Sequence, residues 1–352
     1  TTPSKIAVVG AGTIGLAHID AALMTKEVRL CAIADPSPNA HSVAQKAQVP
    51  LYATLEELLE KARPDGVVLA TPNALHVSQA LACLDHGVSC LVEKPIAPSV
   101  QEALVLVNRV ESSGARLLIG HHRAHSAIMQ KSVEVIQSGQ LGRLVGITGS
   151  ATFYKPSHYF TDAPWRRQLG AGPILVNMIH EVHNLRMLCG EVESVQAYAS
   201  NSVRGFEVED TVAITLRFEN GALGTFLLSD TAACARSWEQ TSEENKAYTS
   251  YSDEDCYVVC GTRGSISIPT MRVKSYPSEQ ESSWWKPFTS QTLSLDRRDP
   301  ILAQMNHFAQ VVRGEVVPLV SARDGLMNLM VTEAIALAAK EERTVKIASN
   351  QV

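Results

Sequence analysis

The stretch Ile6-Ala7-Val8-Val9-Gly10-Ala11-Gly12-Thr13-Ile14-Gly15 decides the fold. A short apolar run ends in G-x-G-x-x-G, and a helical stretch follows it. The next apolar run, Arg29–Ala34, ends in Asp35, which lies 20 residues past Gly15. At that spacing a carboxylate reaches the ribose of a dinucleotide laid over the glycine turn. Gly10 and Gly12 permit a tight turn and close approach of the backbone to a pyrophosphate. Thr13 and Ile14 open the helix whose N-terminal amides favour the anion. Asp35 is suited to accept hydrogen bonds from the ribose hydroxyls and to repel a 2′-phosphate. Ser37 nearby leaves room for that phosphate, so the expected cofactor is NAD, with NADP left open.

Working outward, five apolar runs recur through residues 1–122: Ile6–Val9, Arg29–Ala34, Gly66–Ala70, Cys90–Val92 and Arg116–Ile119. Helical stretches separate them, and two open with capping boxes, Thr54 with Glu57 and Ser99 with Glu102. Gly87 and Gly114 stand where C-caps belong. Continuous apolar strands alternating with helices predict a parallel sheet covered on both faces. Ligands of such sheets bind at the carboxyl ends of the strands, so the residues just after each run carry the function. After the third run come Thr71, Asn73 and His76. The first two suit a cofactor path, whereas His76 reads equally well as a helix-start histidine. After the fourth run come Glu93-Lys94-Pro95. A lysine beside an oxidised nicotinamide would be pushed towards its neutral form, which is the form a general base needs. Glu93 would orient it or contact the nicotinamide ribose.

Length and charge narrow the function. At roughly 100–200 residues per domain, 352 residues predict two domains. With 31 basic against 36 acidic side chains there is no positive excess to bind nucleic acid. No apolar run approaches the roughly 20 residues of a membrane span. Residues Thr1–Lys5 lead directly into a strand without a signal-peptide core. The seven cysteines form no C-x-x-C pair and are read as buried or inert thiols of a reducing compartment. The expectation is a soluble, cytoplasmic protein.

The glycine loop, Glu93-Lys94-Pro95 and the later Gly120-His121-His122-Arg123 together resemble the glucose–fructose oxidoreductase / inositol dehydrogenase (Gfo/Idh/MocA) family, over nearly the whole chain. The resemblance implies an α/β Rossmann domain, residues 1–122. An α+β domain with a large, mostly antiparallel open sheet would follow, residues 123–352, for substrate binding and oligomerisation. It assigns Lys94 a part in catalysis and in binding both substrate and cofactor. Strand-like runs Leu144–Thr152, Val195–Ser200, Thr211–Glu219, Leu223–Ser229 and Ser265–Pro269 fit the second domain, with Asn220-Gly221 as a hairpin turn. The helical stretches Ile301–Arg313 and Ala322–Lys340 follow, and Ser237–Asp255 reads as a mobile surface loop or sheet edge. Trp284 and Trp285, if exposed, would mark a protein contact.

The other half of the site is sought at Gly170-Ala171-Gly172-Pro173 and the helix after it. Asn177 and His180, three apart, would share a helix face. His180 is expected to move a proton, and Asn177 to orient a substrate hydroxyl. Relatives commonly carry aspartate where Val176 stands, so their usual Asp–His relay is not intact. His183 occupies another position where relatives often have aspartate, and is expected to influence substrate choice. His122, Arg123 and Trp165 are further expected substrate contacts, and Arg166 a cofactor contact. His121, His122 and His125 lack a completing acid or cysteine, and no metal is expected. The predicted activity is hydride transfer between a nicotinamide and a sugar or cyclic polyol, oxidising a hydroxyl to a ketone or lactone. Three alternatives stay open: an NAD-dependent glycosidase, an imine reductase, or a non-catalytic cofactor-sensing regulator. An open sheet further predicts a homodimer or homotetramer.

Overall fold

The computed structural model describes residues 2–348. Two units are distinguished. The first gathers the chain up to His125 together with Arg298–Leu329, and the second holds Ser126–Arg297 and the chain from Met330. The sequence reading draws one boundary after residue 122, whereas packing draws it after His125 and returns a later segment to the first unit. The physical reason is the helix Pro300–Arg313, whose Phe308 and Val312 side chains lie against Gly66. Met305, Phe308 and Ala309 are fully buried, completing a core that the first 125 residues leave open.

In the first unit six parallel strands run in the order β3-β2-β1-β4-β5-β6. They are β1 (Ser4–Val9), β2 (Val28–Ala34), β3 (Leu51–Tyr52), β4 (Gly66–Leu69), β5 (Ser89–Val92) and β6 (Leu117–Ile119). The apolar runs became strands because they are buried on both faces; β4 and β5 expose no residue. β3 is a two-residue edge strand, too short to leave a periodic signal. Both N-caps form: the Glu57 amide donates to the Thr54 hydroxyl and the Glu102 amide to that of Ser99. Gly114 closes its helix at φ +66°.

The second unit is built on nine strands: β7 (Leu144–Thr152), β8 (Val192–Ser200), β9 (Thr211–Phe218), β10 (Leu223–Ser229), β11 (Tyr257–Gly261), β12 (Gly264–Ile268), β13 (Arg272–Ser275), β14 (Thr289–Thr292) and β15 (Val345–Lys346). Their order is β14-β13-β12-β11-β7-β10-β9-β8-β15, antiparallel except where β10 pairs with β7. β9 and β10 join through Asn220-Gly221, as that dipeptide predicts, with Gly221 at φ +89°. Alternation is clean along β9, where Val212, Ile214, Leu216 and Phe218 are buried while Ala213, Thr215 and Arg217 face outward. One face of the sheet carries the helices Ala127–Gln137 and Ile179–Cys189. The opposite face leaves Leu223, Leu227, Tyr198 and Val145 exposed.

Some expectations change. Ser237–Asp255 is not a loop throughout, since it opens with a capped helical turn, Trp238–Thr241, and Ser237, Trp238 and Thr241 are buried. Trp238 anchors it by packing 6.2 Å from the Tyr257 ring. The seven cysteines are all unbridged, with Cys234 and Cys260 exposed, Cys31 half-buried and the other four buried. Trp284 and Trp285 stand out at 85% and 84% exposure. Among the described residues no helix is long and apolar enough to cross a membrane.

Candidate functional site

At the carboxyl end of β1 the glycine turn has the geometry its residues require. Gly10 sits at φ +95°, and a Cβ there would come within 2.3 Å of the Ala70 carbonyl oxygen. A Cβ on Gly15 would meet the Gly10 oxygen at 2.0 Å, so only glycine lets the helix close on the turn. Gly12 is the N-cap of the helix Thr13–Met24, which has no acidic side chain in its first turn. The unengaged helix start is therefore suited to a phosphate. Thr13 is exposed there and Ile14 half-buried.

Asp35 ends β2 and is woven into the turn. Its Oδ2 accepts from the Ala11 amide at 2.7 Å and its Oδ1 from the Ser37 amide at 2.7 Å. Partial burial opposes ionisation, but the Ser37 side chain and these two amides outweigh it and hold the carboxyl below its ordinary range. A cavity of about 590 Å³ opens here, lined by Gly10, Gly12, Asp35, Glu56, Thr71 and Leu75 among others. Its charged lining residues, Asp35 and Glu56, are both acidic.

The next strand ends are tied together. Thr71 donates to Gln79, and its carbonyl faces His76 Nε2 at 2.9 Å. The other ring nitrogen of His76 faces the Pro95 carbonyl at 2.7 Å, and the side chain is buried. His76 thus clamps the turn after β4 to the turn after β5 and has no ring nitrogen left for a cofactor. Asn73 lies exposed on a one-turn helix, Asn73–Leu75.

After β5, Glu93 is buried while Lys94 is half-buried, and the Lys94–Pro95 peptide is cis. Glu93 Oε2 accepts from the Lys94 amide at 3.1 Å, and Oε1 accepts from His18 Nε2 at 2.7 Å. Burial works against the Glu93 carboxylate. The His18 hydrogen bond and charge, with Lys94 beyond, more than offset it and hold the carboxyl below the usual range. Gly120 makes the room, because a Cβ there would press on the Glu93 carboxyl at 2.8 Å. His122, beside them, is driven down to about 4 by burial first and by Arg123 second, so it is neutral at physiological pH. Arg123 is buried in the one-turn helix His122–His125.

His18 escaped the sequence reading. Its signal was positional: Gly15, His18, Ile19 and Ala22 form the buried stripe of the first helix, and a histidine in such a stripe needs a partner.

The second unit brings its own polar cluster together. Ile174–Met178 is a π-turn leading into the helix Ile179–Cys189, a local widening that recurs at functional sites. Asn177 lies in that turn and His180 follows it, both half-buried. Asn177 Oδ1 accepts a hydrogen bond from Lys155 Nζ at 2.7 Å. Lys155 follows β7 and precedes Pro156, as Lys94 follows β5 and precedes Pro95, and the sequence reading overlooked it. Trp165 is exposed on the one-turn helix Pro164–Arg167, while Arg166 turns back to donate to the Tyr159 carbonyl at 2.7 Å. His183 is buried in the helix Ile179–Cys189.

A parallel sheet with a glycine turn after β1, an aspartate after β2 and a lysine after β5 has the architecture of a dinucleotide-binding domain. Comparison with known proteins makes this specific. Residues 4–121 match the oxidoreductase-family NAD-binding Rossmann fold model, and residues 129–267 match the GFO/IDH/MocA C-terminal domain model. The chain belongs to the Gfo/Idh/MocA family, an enzyme family using NAD or NADP. It is 25% identical to the 1,5-anhydro-D-fructose reductase of Ensifer adhaerens over 303 residues, 84% of this chain and 83% of the relative. It is 24% identical to the myo-inositol 2-dehydrogenase of Thermotoga maritima over 354 aligned positions, 97% of this chain and 98% of the relative. In fold it is similar to an oxidoreductase from Agrobacterium radiobacter crystallised with NAD+, L-tartaric acid and magnesium. That likeness has a TM-score of 0.83 at 20% identity, covering 99% of this chain and 100% of the other.

Proposed function

We propose that this enzyme transfers hydride between NAD and a CH–OH carbon of a sugar or cyclic polyol. Hydride chemistry belongs to the bound nicotinamide, and the protein orients the reactants and manages the proton. Lys94 accepts the hydroxyl proton in oxidation and returns it in reduction, and His180 takes part in that transfer. Asn177, with a donor and an acceptor on one amide, orients a substrate hydroxyl. The observation that carries the reading is Lys94 itself. Its backbone amide is held by the buried Glu93 carboxylate, which His18 anchors from behind, two strands along the same sheet from the glycine turn and three from Asp35.

The preference for NAD rests on the adenosine-side cavity. Asp35 and Glu56 line it, and a 2′-phosphate would have to approach both. The exposed apolar face of the nine-stranded sheet supports self-association as a homodimer or homotetramer. Seven unbridged cysteines fit a reducing compartment such as the cytoplasm.

The deciding experiment follows NADH and NADPH formation across aldoses, inositols and anhydrosugars, with Lys94→Ala in parallel. Turnover with NAD that the substitution abolishes supports the reading. Glycoside cleavage without net NADH would replace it with redox-neutral glycosidase chemistry.

A further inference from the structure

Lys155 is a buried lysine that the activity proposed above does not use. Its side chain is 13% exposed and donates to Asn177, the residue assigned to the substrate. Asp230 forms a long ion pair with it, and two of the nearby carboxylates are also held by other donors. Asp230, 3.8 Å away and beyond hydrogen-bond distance, is held by Arg204 Nε at 2.9 Å. Glu209 accepts from the Ile174 amide at 2.8 Å. A second cation stands close by. The Arg166 guanidinium lies 3.9 Å from the Tyr159 ring centroid, and Lys155 Nζ lies 5.0 Å from the same centroid. Arg166 Nε is buried and has no hydrogen-bond partner among the described residues. The two like charges repel, and burial together with Arg204 and Arg166 lowers the Lys155 pKa against the pull of Asp230 and Glu239. A bound monoanion would relieve that repulsion and accept the donor that Arg166 leaves unused.

We propose that Lys155, with Arg166 beside it and Asn177 as its partner, selects a sugar or polyol bearing a carboxylate. The inference rests on the dehydrogenase reading and narrows its substrate. A carboxylate is favoured over a phosphate ester because Asp230, Glu209 and Glu239 flank the lysine and oppose a dianion.

The test compares glucuronate, galacturonate and gluconate with glucose, galactose, myo-inositol and glucose 6-phosphate. NAD-loaded wild type, Lys155→Met and Lys155→Arg are assayed for kcat/KM and for the rise in melting temperature each compound gives. Lys155→Gln substitutes if the methionine variant does not fold. The wild type is expected to favour an acid over its neutral counterpart by about tenfold or more. Lys155→Met should collapse that ratio through KM, and Lys155→Arg should keep part of it. Equal use of acid and neutral sugars, a ratio indifferent to Lys155, or a preference for the phosphate ester overturns the proposal. If no compound yields NADH, melting shifts decide. Selective stabilisation by an acid that Lys155→Met removes upholds the carboxylate site and rejects the dehydrogenase reading; equal shifts reject the site.

Discussion

Lys94 and Lys155 both follow a strand and precede a proline, yet their neighbours give them different work. Lys94 grows from a backbone pinned by Glu93, and Lys155 is bonded to Asn177. Lys94→Ala should lower kcat by roughly 10²–10⁴-fold, the usual worth of general acid–base catalysis, with a far smaller change in NAD affinity measured by fluorescence titration. Equal losses in both would make the lysine a cofactor anchor instead. His122 supplies a pH prediction. Its folded pKa, about 4, lies below the ordinary histidine value of 6.5, so the unfolded chain binds the proton first. The stability associated with keeping it neutral is complete above about pH 6.5 and falls as pH drops towards 4. Across that window the melting temperature of the wild type should fall relative to that of His122→Asn as pH drops, and parallel curves would contradict the assignment. Of these residues, the position of Lys94 at a strand end was legible from the Glu-Lys-Pro tripeptide, and its proposed role came from the family resemblance. His18 and Lys155 were not, because their partners lie 75 and 22 residues away in the chain.

Elements act here mainly through their ends. The turn between β1 and the helix Thr13–Met24 tolerates no side chain at Gly10, where φ is +95° and the Ala70 oxygen blocks the Cβ. Gly10→Ala should cost about 1–3 kcal/mol of stability and abolish NAD binding, seen by calorimetry. A variant that binds NAD normally would show that the turn can yield. The proposed preference for NAD is tested at the end of β2. Asp35→Ser should raise the NADP to NAD ratio of kcat/KM by about tenfold or more, the scale of a charge-assisted hydrogen bond. An unchanged ratio would assign discrimination elsewhere, with Glu56 the first candidate. At this scale the sequence was read well where periodicity is strong. β7 and β10 match the expected runs residue for residue. It was read poorly at β3, which has two residues, and at Trp238–Thr241, a single turn set by packing against Tyr257.

Over the whole molecule, the nine-stranded sheet leaves an apolar face uncovered, with Leu227 at 45% and Tyr198 at 63% exposure. Leu227→Glu should shift the protein to smaller species in size-exclusion chromatography while NAD binding persists. An unchanged elution volume would place the subunit contact elsewhere. The chain's local order already determined two things: the parallel sheet with its glycine turn and Asp35, and the strand runs of the second unit with the hairpin at Asn220-Gly221, while its mostly antiparallel sheet came from the family resemblance. Strand alternation, capping boxes and tight turns are written within a few residues of one another, so they can be read without coordinates. Tertiary structure alone decided that Arg298–Leu329 returns to the first unit and that His76 is spent on two carbonyls. It also decided that Glu93 is gripped by His18 and that Lys155 meets Asn177. Each of these depends on which distant segments close a core together, and on which buried polar atoms must then find partners. That pairing is set by packing in three dimensions and leaves no local pattern in the chain.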